Sequence, residues 1–292
     1  MENSKILGLL EKAKTDCKEF EEKYQGPGFS KKMKRVLRYR MDYIKYSLGR
    51  LGIYRKFNFL SYFGILSGGI REIKSTYCIL KNIEPGDVFY DIGANQGLFS
   101  VIVNESFGKQ VEIHAFEPIP YTFKILQKNL PKKENIFLNN IALLDREGEI
   151  KFKVPKNESL LASSTISNEY ADKYLKNYYE IKVSCMSLYR YIKNHKQPTI
   201  VKMDVEGAEP FIIDGGKKIF SEFSPQIIME IQTGNVGLEY SLKAAKKLEE
   251  LGYKIYEIDD ETNGLKLISI KELENFIKER QDLNEDNFVF KK

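Results

Sequence analysis

The stretch "FYDIGANQGLFS", residues 89–100, decides the fold. An apolar run ends in Asp91, a small-residue loop with glycines at 93 and 97 follows, and the chain turns apolar again at Leu98. That order reads as strand, tight turn, helix, the glycines allowing backbone angles closed to other residues and close approach to a ligand. A dinucleotide fingerprint needs G-x-G-x-x-G; the glycine after Gly93 is Gly97, so that pattern fails. The acid narrows the ligand further. A carboxylate at the strand end repels a pyrophosphate and attracts the ammonium and sulfonium charges of S-adenosylmethionine.

Outward from this loop, "VEIHAFEP", "NIFLNNIALLD", "TIVKMDVEG", "PQIIMEI" and "GYKIYEID" read as further strands, with "YTFKILQKNL" and "LKAAKKLEELG" as helices between them. The alternation predicts an α/β fold with a mostly parallel sheet covered on both faces. The second strand ends at Glu117, twenty residues beyond Gly97, where a carboxylate can accept both hydroxyl hydrogen bonds of a ribose. Nicotinamide and adenosylmethionine enzymes share that device, so it indicates a ribose without choosing the cofactor. His114 lies inside this strand and reads as a packed, hydrogen-bonded core histidine. Asn140 and Ala142, ending the third strand, are placed either to meet an adenine or to pack the strand end. Residues 149–194 read as an inserted hairpin with a polar, tyrosine-rich middle, above the strand ends where such sheets bind ligands.

The first eighty residues differ in texture. Ile6, Leu10, Ala13, Cys17, Phe20 and Tyr24 make one stripe of an amphipathic helix that "GPG" at 26–28 stops, and a second helix starts near Ser30. The first helix is either a homodimer seam or, as its three turns favour, packed on the body. Between Ser30 and Lys56 ten Lys or Arg face Asp42 alone, a local charge of +9, so the net +5 of the 292-residue chain leaves −4 elsewhere. Such a block suits an anionic acceptor or partner, or a solvated helix face. No apolar run is long enough for a membrane span, and the N-terminus is wrong for a signal peptide, so a cytoplasmic protein is expected. Three scattered cysteines encode neither a disulfide framework nor a metal knuckle, and two histidines leave zinc sites and Ser-His-Asp geometries little to use.

The fourth strand carries the chemistry. In "TIVKMDVEGAEP", period-two alternation puts Lys202 and Asp204 on one side, with Asp204 at the carboxyl end beside the cofactor loop. Glu206 and Glu209, three apart, suit one face of the next helix's first turn, as caps or as catalytic acids. Asp204 is expected to be the catalytic or acceptor-orienting acid, with Lys202 or Glu206 assisting. Glu230 in "IIMEI" brings a second carboxylate to the same sheet edge. Asp204 and Glu230 are therefore possible ligands of a magnesium or manganese ion, a less favoured option than anchoring of the following loop by Glu230. "DVEG" lacks the Asn/Asp-Pro-Pro-aromatic pattern of nucleobase amino methylases, and Cys185 stands away from the position of a pyrimidine-C5 nucleophile.

In order, "DIGANQG", "HAFEPIPYTFKIL", "NNIALLDREGEI", "KMDVEGAE", "PQIIMEI" and "NFVF" resemble the FkbM-type S-adenosylmethionine-dependent methyltransferases, over about residues 81–292. One departure is "SLYRY" at 187–191, where the family usually has an aspartate after the leucine. The resemblance implies a class I methyltransferase, Rossmann-like seven-stranded sheet; the apolar periodicity before it reads as an N-terminal helical region at 1–80. It also implies O-methylation, often of a sugar or polyketide hydroxyl. By position, Asp91, Gly93, Asn95 and Gly97 would cradle the methionine part of the cofactor and Glu117 its ribose. The expected acceptor is a carbohydrate hydroxyl, in a nucleotide-linked sugar or glycan. Nucleic acid is the less expected partner, although the basic helix keeps RNA ribose methylation as an alternative, and tyrosines 170, 174, 178 and 179 could stack on sugar faces or pack a helix. A catalytically silent module with this fold is the remaining alternative.

Overall fold

A computed structural model describes residues 73–292 apart from 131, 157–163, 169–170, 173–174, 176, 235–236, 260–261 and 281–284, together with positions 7, 8, 11 and 15. In chain order come α1 (73–82), β1 (Val88–Ile92), α2 (Leu98–Phe107), β2 (Glu112–Phe116), α3 (Pro120–Asn129), β3 (Ile136–Asn139) and β4 (Ala142–Leu144). They are followed by β5 (Gly148–Pro155), β6 (Tyr178–Ser187), α4 (Leu188–Tyr191), β7 (Ile200–Met203), α5 (Glu209–Gly215) and α6 (Lys217–Glu222). The last are β8 (Gln226–Gln232), α7 (Leu242–Glu250), β9 (Lys254–Ile258), β10 (Leu265–Ile268), α8 (Ile270–Glu279) and β11 (Glu285–Lys291).

Eight strands form one sheet in the order β10-β9-β11-β8-β7-β1-β2-β3. β3, β2, β1, β7 and β8 run parallel, and β11 lies antiparallel between β8 and β9. This is the class I methyltransferase sheet; β10, antiparallel on β9, adds an edge strand to the expected seven. Alternation feeds two cores. Tyr90, Val201, Met203, Ile227, Met229 and Phe288 face the side that carries α5, α7 and α8, whereas Phe89, Ile113, Ile200, Ile228 and Val289 face α1 and α2. Burial on both faces explains the continuous apolar character of the inner strands.

On the α2 face the alternation turns polar at a common level. Asp91 follows Phe89, Lys202 follows Ile200, and Glu230 and Gln232 follow Ile228, each two residues on and therefore on the same face. The register pairs Asp91 with Lys202 and Met203 with Met229, so Asp204 and Glu230 come level one step further. From β1 the chain builds β2 and β3 to one side and returns to build β7 and β8 on the other. The β1/β7 boundary is therefore the topological switch point, where ligands of open α/β sheets bind.

The run "NIFLNNIALLD" is not the single strand expected. It breaks at Asn140, whose Nδ2 donates to the carbonyls of Glu117 and Pro118 at 2.8 and 3.0 Å, and β4 joins a separate sheet of order β4-β6-β5. The expected hairpin is present there, with β5 and β6 paired antiparallel from Gly148↔Cys185 to Pro155↔Tyr178. "SLYRY" forms α4, N-capped by Ser187, and its Tyr191 is buried against Tyr90, His114 and Phe116. His114 is the core histidine expected: its Nδ1 lies 2.8 Å from Tyr191 Oη, its Nε2 lies 2.9 Å from Glu112 Oε1, and its ring stacks on Phe137.

α1 crosses the boundary read near residue 80 and packs Ile73, Ile79 and Leu80 into the core, with Lys74 Nζ on Asp286 Oδ2 at 3.1 Å. Leu7, Gly8, Glu11 and Thr15 are helical, and Leu7 packs against the same core. The helix read from Ser30, the basic block to Lys56, the rest of the candidate dimer stripe, Cys17, Tyr170 and Tyr174 lie outside the described residues. No helix of the described residues is long and apolar enough to cross a membrane.

Candidate functional site

The loop between β1 and α2 is held by backbone, carboxylate and amide hydrogen bonds. Gly93 N and Ala94 N both donate to Phe116 O at 3.0 and 2.9 Å, which locks the loop to the end of β2. Gly93, Asn95 and Gly97 have φ of 82°, 50° and 89°, the left-handed region where glycine and, less readily, asparagine are tolerated. Asn129 Nδ2 donates to Gln96 O at 2.8 Å and fixes the loop from α3.

Two buried carboxyls flank this loop. Asp91 Oδ2 accepts from Ser100 N at 3.1 Å and Ser100 Oγ at 2.6 Å, tying strand to helix. Burial pushes its carboxyl up to about 6, against the pull of Ser100 and Lys202. Glu117 Oε2 accepts from Asn95 N at 3.1 Å and Oε1 from Ile119 N at 2.8 Å, and burial pushes this group up to about 7. An ionised carboxylate offers about four acceptor positions, so each acid keeps capacity for a ligand. The donor set fits S-adenosylmethionine: one acid for a cationic amino-acid end, another for a ribose diol, and a glycine loop between them.

Beyond the loop stands the acid edge. Asp204 N donates to Ile92 O at 3.0 Å, so the residue continues β7 directly beside β1. Lys202, buried, places Nζ 3.5 Å from Asp204 Oδ2 and 5.2 Å from the centre of the Phe99 ring. Glu206 is not on the helix face expected. It precedes α5 with φ of 53°, its carbonyl accepts from Thr165 Oγ1 at 2.8 Å, and its Oε2 accepts from Gln232 Nε2. The bend turns Glu206 away from Glu209, which alone opens the helix. Carboxylate oxygens of Asp204, Glu206 and Glu230 lie within 4.8 Å of one another. Glu230 sits two residues before the end of β8, opposite Asn287 of β11.

The structure thus gathers Asp91, Gly93, Asn95, Gly97 and Glu117 at one end, and Lys202, Asp204, Glu206 and Glu230 at the other. Asn140 spends its amide on the loop after β2, and Ala142, at the start of β4, is buried in the core of the second sheet. Sequence reasoning missed Ser100, Gln232 and Tyr240. Gln232 was legible, two residues after Glu230 on one strand face; Ser100 and Tyr240 carry no pattern. Tyr240 accepts from Ser167 Oγ at 3.1 Å and packs on Gly207, so the hairpin insertion reaches the acid edge at both Thr165 and Ser167.

Glu209 is only 2% exposed, its Oε1 accepts from Val205 N at 3.4 Å, and burial followed by the charge of Asp204 pushes it up to about 7. From the ordinary 4.5 to about 7 the unfolded state ionises while the folded state keeps its proton, so wild-type stability falls as pH rises through that window. The Glu209→Gln variant does not titrate and gains on wild type over the same range, by on the order of 2–3 kcal/mol. Urea unfolding of both proteins at pH 4.5, 6 and 7.5 reads this difference. His114, pushed down to about 4 by burial, works in the opposite direction but is common to both proteins and cancels. A difference that is flat or shrinks with pH is incompatible with this burial effect.

The family model for the methyltransferase FkbM domain matches residues 91–255. The 31-O-demethyl-FK506 methyltransferase FkbM of Streptomyces tacrolimicus is 43% identical over 63 residues, 20% of this chain and 24% of that protein. Methyltransferase 1 of Beauveria bassiana (strain ARSEF 2860) is 28% identical over 148 residues, 45% of this chain and 59% of that protein. The chain therefore spans less than two thirds of the length of these curated relatives. Among solved structures, the methyltransferase FkbM of Methylobacillus flagellatus KT aligns at a TM-score of 0.45 and 13% identity, over 79% of this chain and 53% of that one.

Proposed function

Since the chain belongs to the FkbM methyltransferase family, we propose that it transfers a methyl group from S-adenosylmethionine to a hydroxyl of a carbohydrate, free, nucleotide-linked or within a glycan. When bound, that cofactor supplies an electrophilic methyl on a sulfonium, which passes to the acceptor oxygen as the carbon–sulfur bond breaks. The loop 93–97 with Asp91 and Glu117 would hold the cofactor. Asp204 orients the acceptor hydroxyl and takes its proton, Lys202 holds Asp204 in place, and Glu206 binds a neighbouring hydroxyl.

One observation carries this reading: the cradle and the acids are a single piece of backbone geometry. Asp204 hydrogen-bonds to Ile92, and its carbonyl oxygen lies only 1.8 Å from where a Cβ on Gly93 would stand. Whatever the loop binds is therefore presented beside Asp204. Oxygen as the acceptor is supported by the relative whose name specifies a 31-O-demethyl compound. A carbohydrate is supported by planar acceptor groups on Asp204, Glu206, Glu230 and Gln232 and by the flat ring of Tyr240 against Gly207.

The test has two parts. Titration with S-adenosylhomocysteine gives saturable binding, weakened roughly tenfold to a hundredfold in Glu117→Gln and Asp91→Asn, the range of one charge-assisted hydrogen bond. A methyl-transfer screen over nucleotide sugars and glycans, with mass detection, then finds an acceptor that gains one methyl. Tight nicotinamide binding overturns the cofactor. Methylation of an RNA pool alone overturns the acceptor, and binding without turnover on any pool overturns the activity.

A further inference from the structure

The acid edge holds more oxygen acceptors than methyl transfer by a single base requires. Asp204, Glu206 and Glu230 come from the end of β7, the bend before α5 and the interior of β8, yet their oxygens fall within 4.8 Å of one another. A cation with oxygen ligands at about 2.1–2.5 Å sets opposite ligands roughly 4.2–5 Å apart. The three acids therefore lie close enough together to share one coordination sphere.

A second observation comes from a different residue type. Gln232 is 6% exposed and directs its amide into the group, with Nε2 against Glu206 Oε2. That contact fixes the amide's orientation, because the nitrogen is the atom able to donate to a carboxylate. Its Oε1 is then left buried with no hydrogen-bond partner among the described residues. Glu209, 2% exposed and near enough to Asp204 to feel its charge, is a further buried carboxyl beside the group. A buried oxygen without a donor is costly unless a ligand satisfies it. Donors made only of carboxylate and amide oxygen, with no imidazole or thiolate, suit a hard divalent cation and exclude zinc or copper preference.

We propose that Asp204, Glu206 and Glu230, with the amide oxygen of Gln232, bind one hard divalent cation of the magnesium or manganese class. Its catalytic use rests on the proposed methyl transfer; its existence does not. A cation held there would supply Lewis-acid chemistry, lowering the cost of removing the acceptor hydroxyl's proton, which Asp204 would take. The left-handed backbone at Glu206 has a role in this arrangement, since a helical residue there would carry its carboxylate along α5 instead of toward β8. The hairpin insertion, through Thr165 on the Glu206 carbonyl, holds that bend in place.

The experiment is a titration of the chelator-stripped 292-residue chain with Mn2+, followed by electron paramagnetic resonance, without cofactor or acceptor. One Mn2+ per chain binds saturably and is displaced by Mg2+. Glu230→Gln and Glu206→Gln each weaken binding about tenfold or more, and Gln232→Met weakens it less. Urea unfolding of each variant confirms the fold, and Mn2+ raises the unfolding midpoint most in the wild type, less in Gln232→Met and least in Glu206→Gln and Glu230→Gln. Absence of saturable binding up to about 1 mM, or equal binding by Glu230→Gln, overturns the site. Mn2+ binding in a protein that methylates nothing leaves the site standing and removes the proposed activity. Chelator-resistant methylation without Mn2+ binding does the reverse.

Discussion

Replacing Asp204 by asparagine lowers kcat at least about a hundredfold while cofactor affinity stays within about twofold. The substitution keeps the side-chain shape and leaves the Asp204 N to Ile92 O bond intact, so the β1/β7 junction that supports the cradle is undisturbed. What it removes is a negative, proton-accepting oxygen at the point where the loop and the acid edge meet. Asparagine cannot take a proton from a hydroxyl, and it is a weaker ligand for a hard cation, so the loss is expected under either mode of activation. Lys202, buried 3.5 Å from Asp204, also loses its carboxylate partner. Single-turnover kinetics with saturating cofactor separate the chemical step from binding, and isothermal titration with S-adenosylhomocysteine reads the cradle alone. Normal turnover by the variant removes Asp204 from the chemistry. A loss of cofactor affinity equal to the loss of kcat assigns the residue to the cradle instead.

The parts of this site that sequence alone revealed are those whose determinants are local. The spacing of Asp91, Gly93 and Gly97 specifies a strand, a turn and a helix start within a dozen residues, and period two places Lys202 and Asp204 on one strand face without any tertiary information. His114 was readable as a core residue for the same reason, being flanked by apolar neighbours within a strand. The misreadings lie where a distant contact decides. Apolar residues on either side of Asn139–Asn140 suggested one strand; the break is set by Asn140 reaching carbonyls more than twenty residues away. Glu206 and Glu209 had the spacing of a helix face, but the first is turned out by contacts to Thr165 and Gln232, at sequence separations of 41 and 26. Propensity is a weak prior against such contacts, and functional loops are where local and global preferences disagree.

Glycines within and just before the opening stretch allow those two causes, local conformation and distant contact, to be weighed separately. Gly86 and Gly93 both have positive φ, 100° and 82°, so alanine at either carries the left-handed backbone cost of roughly 1–2 kcal/mol. A Cβ on Gly86 meets nothing within 4 Å, whereas on Gly93 it stands 1.8 Å from Asp204 O and 2.8 Å from Asp204 C. The obstruction at Gly93 is backbone, which cannot rotate aside. At Gly97 a Cβ meets Leu126 Cδ1 at 2.5 Å, the end of a side chain that can move. The expected order of damage is therefore Gly86→Ala, then Gly97→Ala, then Gly93→Ala. Gly93→Ala pushes β1 and the Asp204 backbone apart, adding an overpacking cost of about 1–3 kcal/mol or more to the backbone strain. Because the same junction positions both the loop and Asp204, S-adenosylhomocysteine affinity is expected to fall at least about a hundredfold, the equivalent of roughly 2.7 kcal/mol. Gly86→Ala lowers the unfolding midpoint by a few degrees at most and leaves that affinity unchanged. Equal effects at Gly86 and Gly93 would attribute the loop's glycine requirement to φ alone and dissolve the coupling between cradle and acid edge; a Gly93-specific loss of binding establishes it.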